Sequence, residues 1–320
     1  MMKQLILIFL FFSLSTFSQN FKKVDAVVIN YPRFSKVEDL ANQIEKDFSS
    51  DADKSRAAFF WLAKNIRYNL REFYNPTKRN YSFSYKSEEE KTEKIKSHID
   101  NIVSETFRNQ TGVCEEYAQS FKKICDLLKI EAEVIKGNAR TSSDEIGKIS
   151  NTSNHAWNAV KIDKKWIILD ATWAAGYENN GKWIRSFNDY FYDIPVNKIF
   201  KTHYPEDTIW NIRFGRMSVQ EFYNQPIYSN TFLTLNTDLI SPTSGIINLK
   251  ASEDIVLKFK NLDKNLLVFY TLKGMKNPLK PIITSEKNTT TLTIKNPKIN
   301  TDLVLFINKE DALHFRISMQ

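Results

Sequence analysis

The 320-residue sequence predicts an α+β domain followed by an all-β sandwich. In the first part of the chain, apolar residues recur at helical spacing and a strand pair with a short polar turn follows them. After Pro226 the pattern changes to short runs in which apolar and polar residues alternate. We therefore expect a signal peptide over residues 1–18, the α+β domain over residues 19–228 and the sandwich over residues 229–320.

The first 18 residues have the pattern of a secretory signal peptide. They contain one basic residue, Lys3, then an apolar run over residues 5–12, and small residues at Thr16 and Ser18. The run is too short to span a bilayer, and no later stretch approaches the roughly 20 apolar residues that a spanning helix needs. No cysteine lies directly after the run, so a lipid anchor is not expected. We expect a soluble, extracytoplasmic protein, either periplasmic or secreted.

A helix is predicted to follow a turn that Gly112 permits, with Cys114 at or next to the first residue of that helix. A thiol at the first residue of a helix lies at the positive end of the helix dipole, which favours a thiolate. The alternative is an inert cysteine packed in a core, and Cys125 on the same helix is expected to be one. The apolar stripe that should face the core consists of Tyr117, Phe121, Ile124 and Leu128.

A β-hairpin is predicted over residues 156–162 and 166–172, joined at the polar residues 163–164. With a two-residue turn, His155 and Asp170 lie on the same face of the hairpin. A three-residue loop would put them on opposite faces. Alone, His155 could be a surface residue and Asp170 a turn cap. With the favoured turn, the spacing predicts an imidazole oriented by a carboxylate.

Together, these predictions supply a thiol, an imidazole and a carboxylate in the order that a nucleophilic site needs. Cys114 is the candidate nucleophile, His155 the candidate base and Asp170 the residue that orients it. Each lies within a recognisable local frame, so three unrelated residues are a less economical explanation than one site.

Three motifs carry a resemblance to a known family: Gly-Val-Cys-x-x-Tyr-Ala at 112–118, Asn-His-Ala-Trp-Asn at 154–158 and Leu-Asp-Ala-Thr-Trp at 169–173. At these residues the chain resembles the transglutaminase-like superfamily, in the branch of kyphoscoliosis peptidase and the cytokinesis-related transglutaminase-like proteins. The resemblance covers about residues 35–226. Asn69 is a departure, because the family usually has Asp at that position.

The resemblance implies a papain-like core, in which helices pack on an antiparallel sheet and one helix carries the nucleophile. Carried over, Cys114 would attack a carbonyl, His155 would take and return the proton, and Asp170 would hold the imidazole tautomer. If water resolved the resulting acyl-thioester, the protein would be a peptidase or amidase. If an amine resolved it, the protein would be a transglutaminase. One oxyanion donor would be the Cys114 N–H, while the second is not assigned. The alternative is a catalytically silent module that binds a peptide or cell-envelope polymer in the same cleft.

Three aromatic residues are candidates for contact with a protein or peptide substrate. Trp157 and Trp173 lie within the second and third motifs, and Tyr117 lies one turn after the candidate nucleophile. As aromatic residues in regular elements, they are also plausible members of the core.

The composition argues against several other functions. The formal charge of +8 is spread through lysines that alternate with acids, as over residues 87–94, which is typical of a solvated helix face. The sequence has no nucleic-acid motif, glycine-rich phosphate loop or cluster of metal ligands. His98 and His203 are isolated in the sequence and are assigned no metal. We therefore expect no nucleic-acid partner, no metal and no cofactor.

The C-terminal part is predicted to form an immunoglobulin-like sandwich. Polar turn residues separate six short apolar runs there, at 246–249, 255–259, 266–272, 289–294, 303–307 and 314–317. This part contains no candidate catalytic group. Its expected role is binding or positioning, including contact with the cell envelope, and the alternative is a passive stabilising domain.

Overall fold

The computed structural model describes residues 21–76 and 84–320, so the predicted signal peptide at residues 1–18 lies outside the described part. The described helices are α1 (Lys22–Val28), α2 (Val37–Asp47), α3 (Asp51–Asn65), α4 (Leu70–Tyr74), α5 (Glu88–Asn109), α6 (Cys114–Leu127), α7 (Ala171–Ala175), α8 (Thr208–Arg213), α9 (Val219–Asn224) and α10 (Asn230–Thr234).

The strands before the C-terminal sandwich are β1 (Arg67–Tyr68), β2 (Thr111–Gly112), β3 (Ala132–Ala139), β4 (His155–Ile162), β5 (Lys165–Leu169), β6 (Gly176–Asn179), β7 (Lys182–Arg185), β8 (His203–Pro205) and β9 (Ile227–Tyr228). Those that follow are β10 (Asp238–Ser241), β11 (Ile246–Leu249), β12 (Ile255–Lys260), β13 (Val268–Leu272), β14 (Ile282–Glu286), β15 (Thr289–Ile294), β16 (Thr301–Ile307) and β17 (Glu310–Met319).

The N-terminal part is an α+β fold built on a four-stranded antiparallel sheet in the order β5-β4-β3-β8. Helix α6 packs against β3 and β4, and α3 packs against α6. Helix α3 is buried along most of its length, and Phe59, Trp61 and Leu62 within it are fully buried. This burial places the helix at the centre of the core. The prediction of helices packed on an antiparallel sheet is confirmed.

Strands β4 and β5 form the predicted hairpin. Asp163 and Lys164 make the two-residue turn with φ angles of 49° and 65°, as a type I′ turn requires. Pairing ends at Asn158 and Leu169, so the prediction of a strand continuing to residue 172 is wrong. Asp170 instead begins helix α7, because its side chain accepts hydrogen bonds from the first free N–H groups of that helix.

The C-terminal part is a two-sheet sandwich. One sheet has the order β10-β12-β15-β14, and the other the order β11-β17-β16-β13. Counted from β10, this is the A-B-E-D and C-F-G arrangement of immunoglobulin domains, with β11 added in parallel to β17. The predicted immunoglobulin-like fold is confirmed. The six predicted runs correspond to β11, β12, β13, β15, β16 and β17, whereas β10 and β14 were not predicted.

Arg140 connects the two parts of the chain. It is 2% exposed and donates hydrogen bonds to the carbonyl oxygens of Tyr223, Gln225 and Pro226, which precede the sandwich. Strand β9 follows at once and pairs with β17. The domain boundary between residues 228 and 229 stays a prediction. Strand β9 lies before that boundary and already pairs with a strand of the C-terminal sheet.

Within residues 21–76 and 84–320, every helix lacks either the length or the apolar composition of a membrane span.

Candidate active site

Cys114 is the first residue of α6, as predicted, and its side chain is partly accessible. Gly112 is needed before it, but for a different reason from the predicted turn. Gly112 pairs with Tyr68 in β1, and a Cβ atom on it would lie 2.5 Å from the Cβ atom of Glu116. The glycine therefore allows the chain to approach α6 closely. Glu116 accepts a hydrogen bond from the Val113 N–H at 3.0 Å, which fixes the turn into the helix.

Helix α6 is held against the sheet by its predicted stripe and by polar contacts. Tyr117, Phe121 and Ile124 are buried, and the prediction that Cys125 belongs to the core is confirmed. Asn158 on β4 donates a hydrogen bond to the Ala118 carbonyl oxygen at 3.0 Å. This contact joins the helix of the thiol to the strand that begins with the imidazole.

His155 begins β4, where the second motif positions it. Asn154 both accepts from the Ala139 N–H at 2.8 Å and donates to the Ala139 carbonyl oxygen at 3.0 Å. The ring of Trp157 packs beside the His155 ring, with 6.0 Å between centroids. The backbone of His155 pairs with that of Gly137 in β3. The motif therefore fixes the imidazole from the backbone and from its ring face.

Asp170 is the centre of the hydrogen bonds at the site and is fully buried. Its Oδ1 atom accepts from the N–H groups of Thr172 at 2.8 Å and Trp173 at 3.0 Å. Its Oδ2 atom accepts from His155 Nε2 at 2.7 Å and from His203 Nε2 at 3.0 Å. Four donors thus hold one carboxylate, which is what a buried ionised group requires.

Cys114 completes the arrangement, since its side chain lies near enough to His155 to contribute to the raised pKa of that imidazole. The Nε2 atom of His155 is engaged by Asp170, which leaves Nδ1 to face the thiol. The structure therefore brings together Cys114, His155 and Asp170 in the order that the sequence predicts. The catalytic roles of the three residues stay predictions.

The charges at the site reinforce each other. Burial alone would lower the pKa of His155, but the charge and hydrogen bond of Asp170, with the nearby Cys114 side chain, raise that pKa to about 10. Burial alone would raise the pKa of Asp170, but His155 and His203 lower it well below its usual range. At neutral pH the pair is therefore an imidazolium and a carboxylate.

Sequence reasoning missed His203, which is fully buried on β8. Burial and the nearby charge of His155 lower the pKa of His203 against the opposing effect of Asp170. The ring is therefore neutral, with Nε2–H donated to Asp170 and Nδ1 hydrogen bonded at 2.7 Å to the Thr202 hydroxyl. Nothing in the local sequence indicates this role, because β8 reaches the site only through its pairing with β3.

His155, Asp170 and His203 also offer ligand atoms within 4.8 Å of one another, a set that could hold a metal ion. The contacts of 2.7 and 3.0 Å to Asp170 are hydrogen-bond distances, and each imidazole uses its Nε2–H for them. We therefore assign these atoms to hydrogen bonding. The expectation that the site has no metal and no cofactor stays a prediction.

The three candidate substrate contacts lie around this centre. Trp157 and Tyr117 are each 1% exposed, and the Tyr117 hydroxyl donates to the Ile66 carbonyl oxygen at 2.6 Å. Trp173 is partly exposed and lies on α7, with its ring 5.6 Å from that of His155. Of the three, only Trp173 presents surface to a ligand without a rearrangement. Substrate contact stays a prediction for all three.

A groove of about 640 Å³ runs along the neighbouring edge of the sheet. Cys114, His155 and Asp170 do not line it. Lys136 does, and its Nζ atom is 3.4 Å from a carboxylate oxygen of Glu115, the residue after Cys114. The groove is therefore adjacent to the thiol and separate from it. It is lined by Gln119, Val134, Ile135, Lys136, Glu206, Asp207, Thr208 and Trp210.

Comparison with known proteins supports the domain that these elements form. Residues 38–171 match the model of the Transglutaminase-like superfamily, a range that includes Cys114, His155 and Asp170. Kyphoscoliosis peptidase of Homo sapiens is 21% identical over 245 residues, which cover 73% of this chain and 33% of the relative. Cytokinesis protein 3 of Schizosaccharomyces pombe is 26% identical over 149 residues, covering 46% of this chain and 17% of that protein.

This chain thus spans about a third of the length of the kyphoscoliosis peptidase that it matches. A crystal structure of a TGase is 19% identical and covers 57% of this chain and 41% of its own, with a TM-score of 0.31. The fold assignment therefore depends on the elements described above and on the family match.

Proposed function

Since the chain carries a transglutaminase-like domain over residues 38–171, we propose that it is a cysteine-dependent acyl-transfer enzyme acting on amide or peptide bonds. The observation that carries the proposal is the 2.7 Å hydrogen bond between His155 and Asp170, with the Cys114 thiol beside the same imidazole. Each of the three residues begins or directly precedes a helix or strand. More than one contact fixes His155, and more than one fixes Asp170.

In the proposed reaction, the Cys114 thiolate attacks the carbonyl carbon and forms a tetrahedral intermediate. His155, held as an imidazolium by Asp170, donates a proton to the nitrogen of the leaving amine as the C–N bond breaks. The product is an acyl-thioester on Cys114. Attack by water would release an acid, and attack by an amine would form a new amide.

The setting belongs to the same proposal. The signal-peptide pattern of residues 1–18 supports export, which places the reaction outside the cytoplasm with a protein or peptide as substrate. The role that we propose for the C-terminal sandwich is contact with the cell envelope. The free thiol of Cys114 supports this proposal, because it lies beside His155 and forms no disulfide with Cys125.

A peptide library provides the test. The full chain is incubated with proteome-derived peptides, with and without a biotinylated primary amine. Mass spectrometry detects new peptide termini as hydrolysis and biotinylated glutamine as amine transfer. We expect one of these products from the wild type and from Cys125→Ala, and none from Cys114→Ser.

Two results would overturn the proposal that this protein is an enzyme. One is the same turnover in Cys114→Ser as in the wild type. The other is peptide capture without turnover that Cys114→Ser leaves unchanged, which would favour the binding module.

A further inference from the structure

Tyr68 is brought to the thiol by a short strand pair far from it in sequence. Strand β1 runs parallel to β2, with Tyr68 opposite Gly112. The N–H of the next residue, Asn69, donates to the Gly112 carbonyl oxygen at 2.9 Å. Tyr68 therefore lies beside the turn that leads into Cys114, although 46 residues separate the two along the chain.

Several contacts hold this segment rigid. The Ile66 carbonyl oxygen accepts hydrogen bonds from the Tyr117 hydroxyl at 2.6 Å and from Arg185 at 3.2 Å. The ring of Tyr68 stacks on that of Trp183, with centroids 5.2 Å apart and an angle of 29° between the planes. Hydrogen bonds thus fix the backbone before Tyr68 and the Trp183 ring supports the phenol, as preorganised catalytic groups require.

The hydroxyl of Tyr68 is available to a ligand. It makes no hydrogen bond to another residue of the described ranges, although the side chain is only partly exposed. Burial, followed by the negative charges of Cys114 and Asp170, raises the pKa of Tyr68 well above its usual range. The phenol therefore keeps its proton and can act only as a neutral donor toward an anion that forms at the thiol.

We propose that the Tyr68 hydroxyl is the second oxyanion donor of this site and acts together with the backbone N–H of Cys114. The inference rests on the proposed function. When the thiolate pair forms the C–S bond, the π pair of the carbonyl moves onto oxygen. The Cys114 N–H is free for that oxygen, because the first N–H groups of a helix have no partner within the helix. The oxyanion then reforms the carbonyl as the C–N bond breaks and His155 gives its proton to nitrogen.

Trp183 is one competing donor, since its indole N–H is buried and has no partner in the described residues. Two observations favour Tyr68. The strand pairing places Tyr68 next to Gly112, and the charge of Cys114 acts on its hydroxyl. The ring contact assigns Trp183 to supporting the phenol.

Two thiol reagents separate oxyanion stabilisation from thiol reactivity. Acylation of Cys114 by p-nitrophenyl acetate passes through an oxyanion, whereas alkylation by iodoacetamide displaces iodide without one. Both rates are measured on the full chain at pH 7. We expect Tyr68→Phe to slow acylation by about 10²-fold and to leave alkylation within about twofold of the wild type. Tyr177→Phe, which removes an exposed phenol hydroxyl, should change neither rate.

Each of the following results would overturn the inference. Unchanged acylation in Tyr68→Phe would exclude the hydroxyl as a donor. Equal slowing of both reactions would assign Tyr68 to thiol reactivity. A full loss of acylation in Trp183→Phe, with none in Tyr68→Phe, would make the indole the donor. If the wild type is alkylated at Cys114 but never acylated there, the proposed function fails, and this inference fails with it.

Discussion

His203 donates a hydrogen bond to the same oxygen of Asp170 that His155 uses, at 3.0 Å. Oδ2 therefore has two imidazole donors, one charged and one neutral. The neutral ring fixes the position of the carboxylate without competing for its charge. His203 acts on the site through Asp170, as a positioning residue.

Replacing His203 by Phe keeps a ring of similar size and removes its hydrogen bonds. We expect the free energy of unfolding to fall by about 1–3 kcal/mol, because a buried carboxylate loses one donor. Urea denaturation at pH 7 measures this change. Thr202→Val, which removes only the hydroxyl bonded to His203 Nδ1, should cost less, about 1 kcal/mol. If His203→Phe is as stable as the wild type, His203 does not hold the Asp170 carboxylate in position.

Asp170→Asn should lower the rate of Cys114 acylation by about 10²–10⁴-fold, because an uncharged amide no longer stabilises the His155 imidazolium. The rate is measured with p-nitrophenyl acetate at pH 7. Asp144→Asn changes an exposed carboxylate and is the matched control, which should retain the wild-type rate. A rate in Asp170→Asn within threefold of the wild type, about 0.7 kcal/mol in barrier, would be incompatible with the proposed site.

Stability should depend on pH through His155. Its pKa is raised from 6.5 to about 10, so the folded protein holds this proton more tightly than the unfolded chain. The stabilisation is complete below pH 6.5 and is lost as pH rises toward 10. We expect the wild type to lose on the order of a few kcal/mol over this window relative to His155→Gln. Urea denaturation at several pH values tests this, and parallel curves for the two proteins would refute it.

The two cysteines should differ sharply toward iodoacetamide. Cys114 is partly accessible beside the His155 imidazolium, whereas Cys125 is fully buried, and burial raises the pKa of the Cys125 thiol. We expect modification of Cys114 only in the folded protein at pH 6.5, read for each cysteine by mass spectrometry. His155→Ala should slow it by about tenfold or more. Equal modification of both cysteines would mean that the thiol site is not formed.

Gly112→Ala should destabilise the protein by about 1–3 kcal/mol, because the new methyl group would meet the Glu116 Cβ atom at 2.5 Å. The clash should displace the start of α6, so alkylation of Cys114 should also slow. Denaturation and the iodoacetamide rate measure the two effects. A variant with wild-type stability and rate would show that the close approach is not required.

The parts of the site that local chemistry determines could be predicted from the sequence. The polar pair Asp163 and Lys164 determines the turn, and the turn determines the register that brings His155 near Asp170. The strand was extended too far, because the prediction did not allow the Asp170 side chain to cap a helix while also binding an imidazole.

Long-range pairings account for what was missed. His203 and Tyr68 arrive on short strands whose partners lie far away in sequence, and no periodicity marks a strand of two or three residues. In the sandwich, β14 is exposed along its whole length and so has no buried face to give an alternating pattern. Strand β12 can be predicted, because its buried and exposed residues alternate regularly.

The position of β17 has a consequence for synthesis on the ribosome. This strand lies between β11 and β16 and also pairs with β9, so its sheet cannot assemble before residues 310–319 have emerged. The thiol, both imidazoles of the site and the carboxylate all lie within the first 203 residues. The residues of the candidate site are therefore synthesised before the strand on which the second sheet of the sandwich depends.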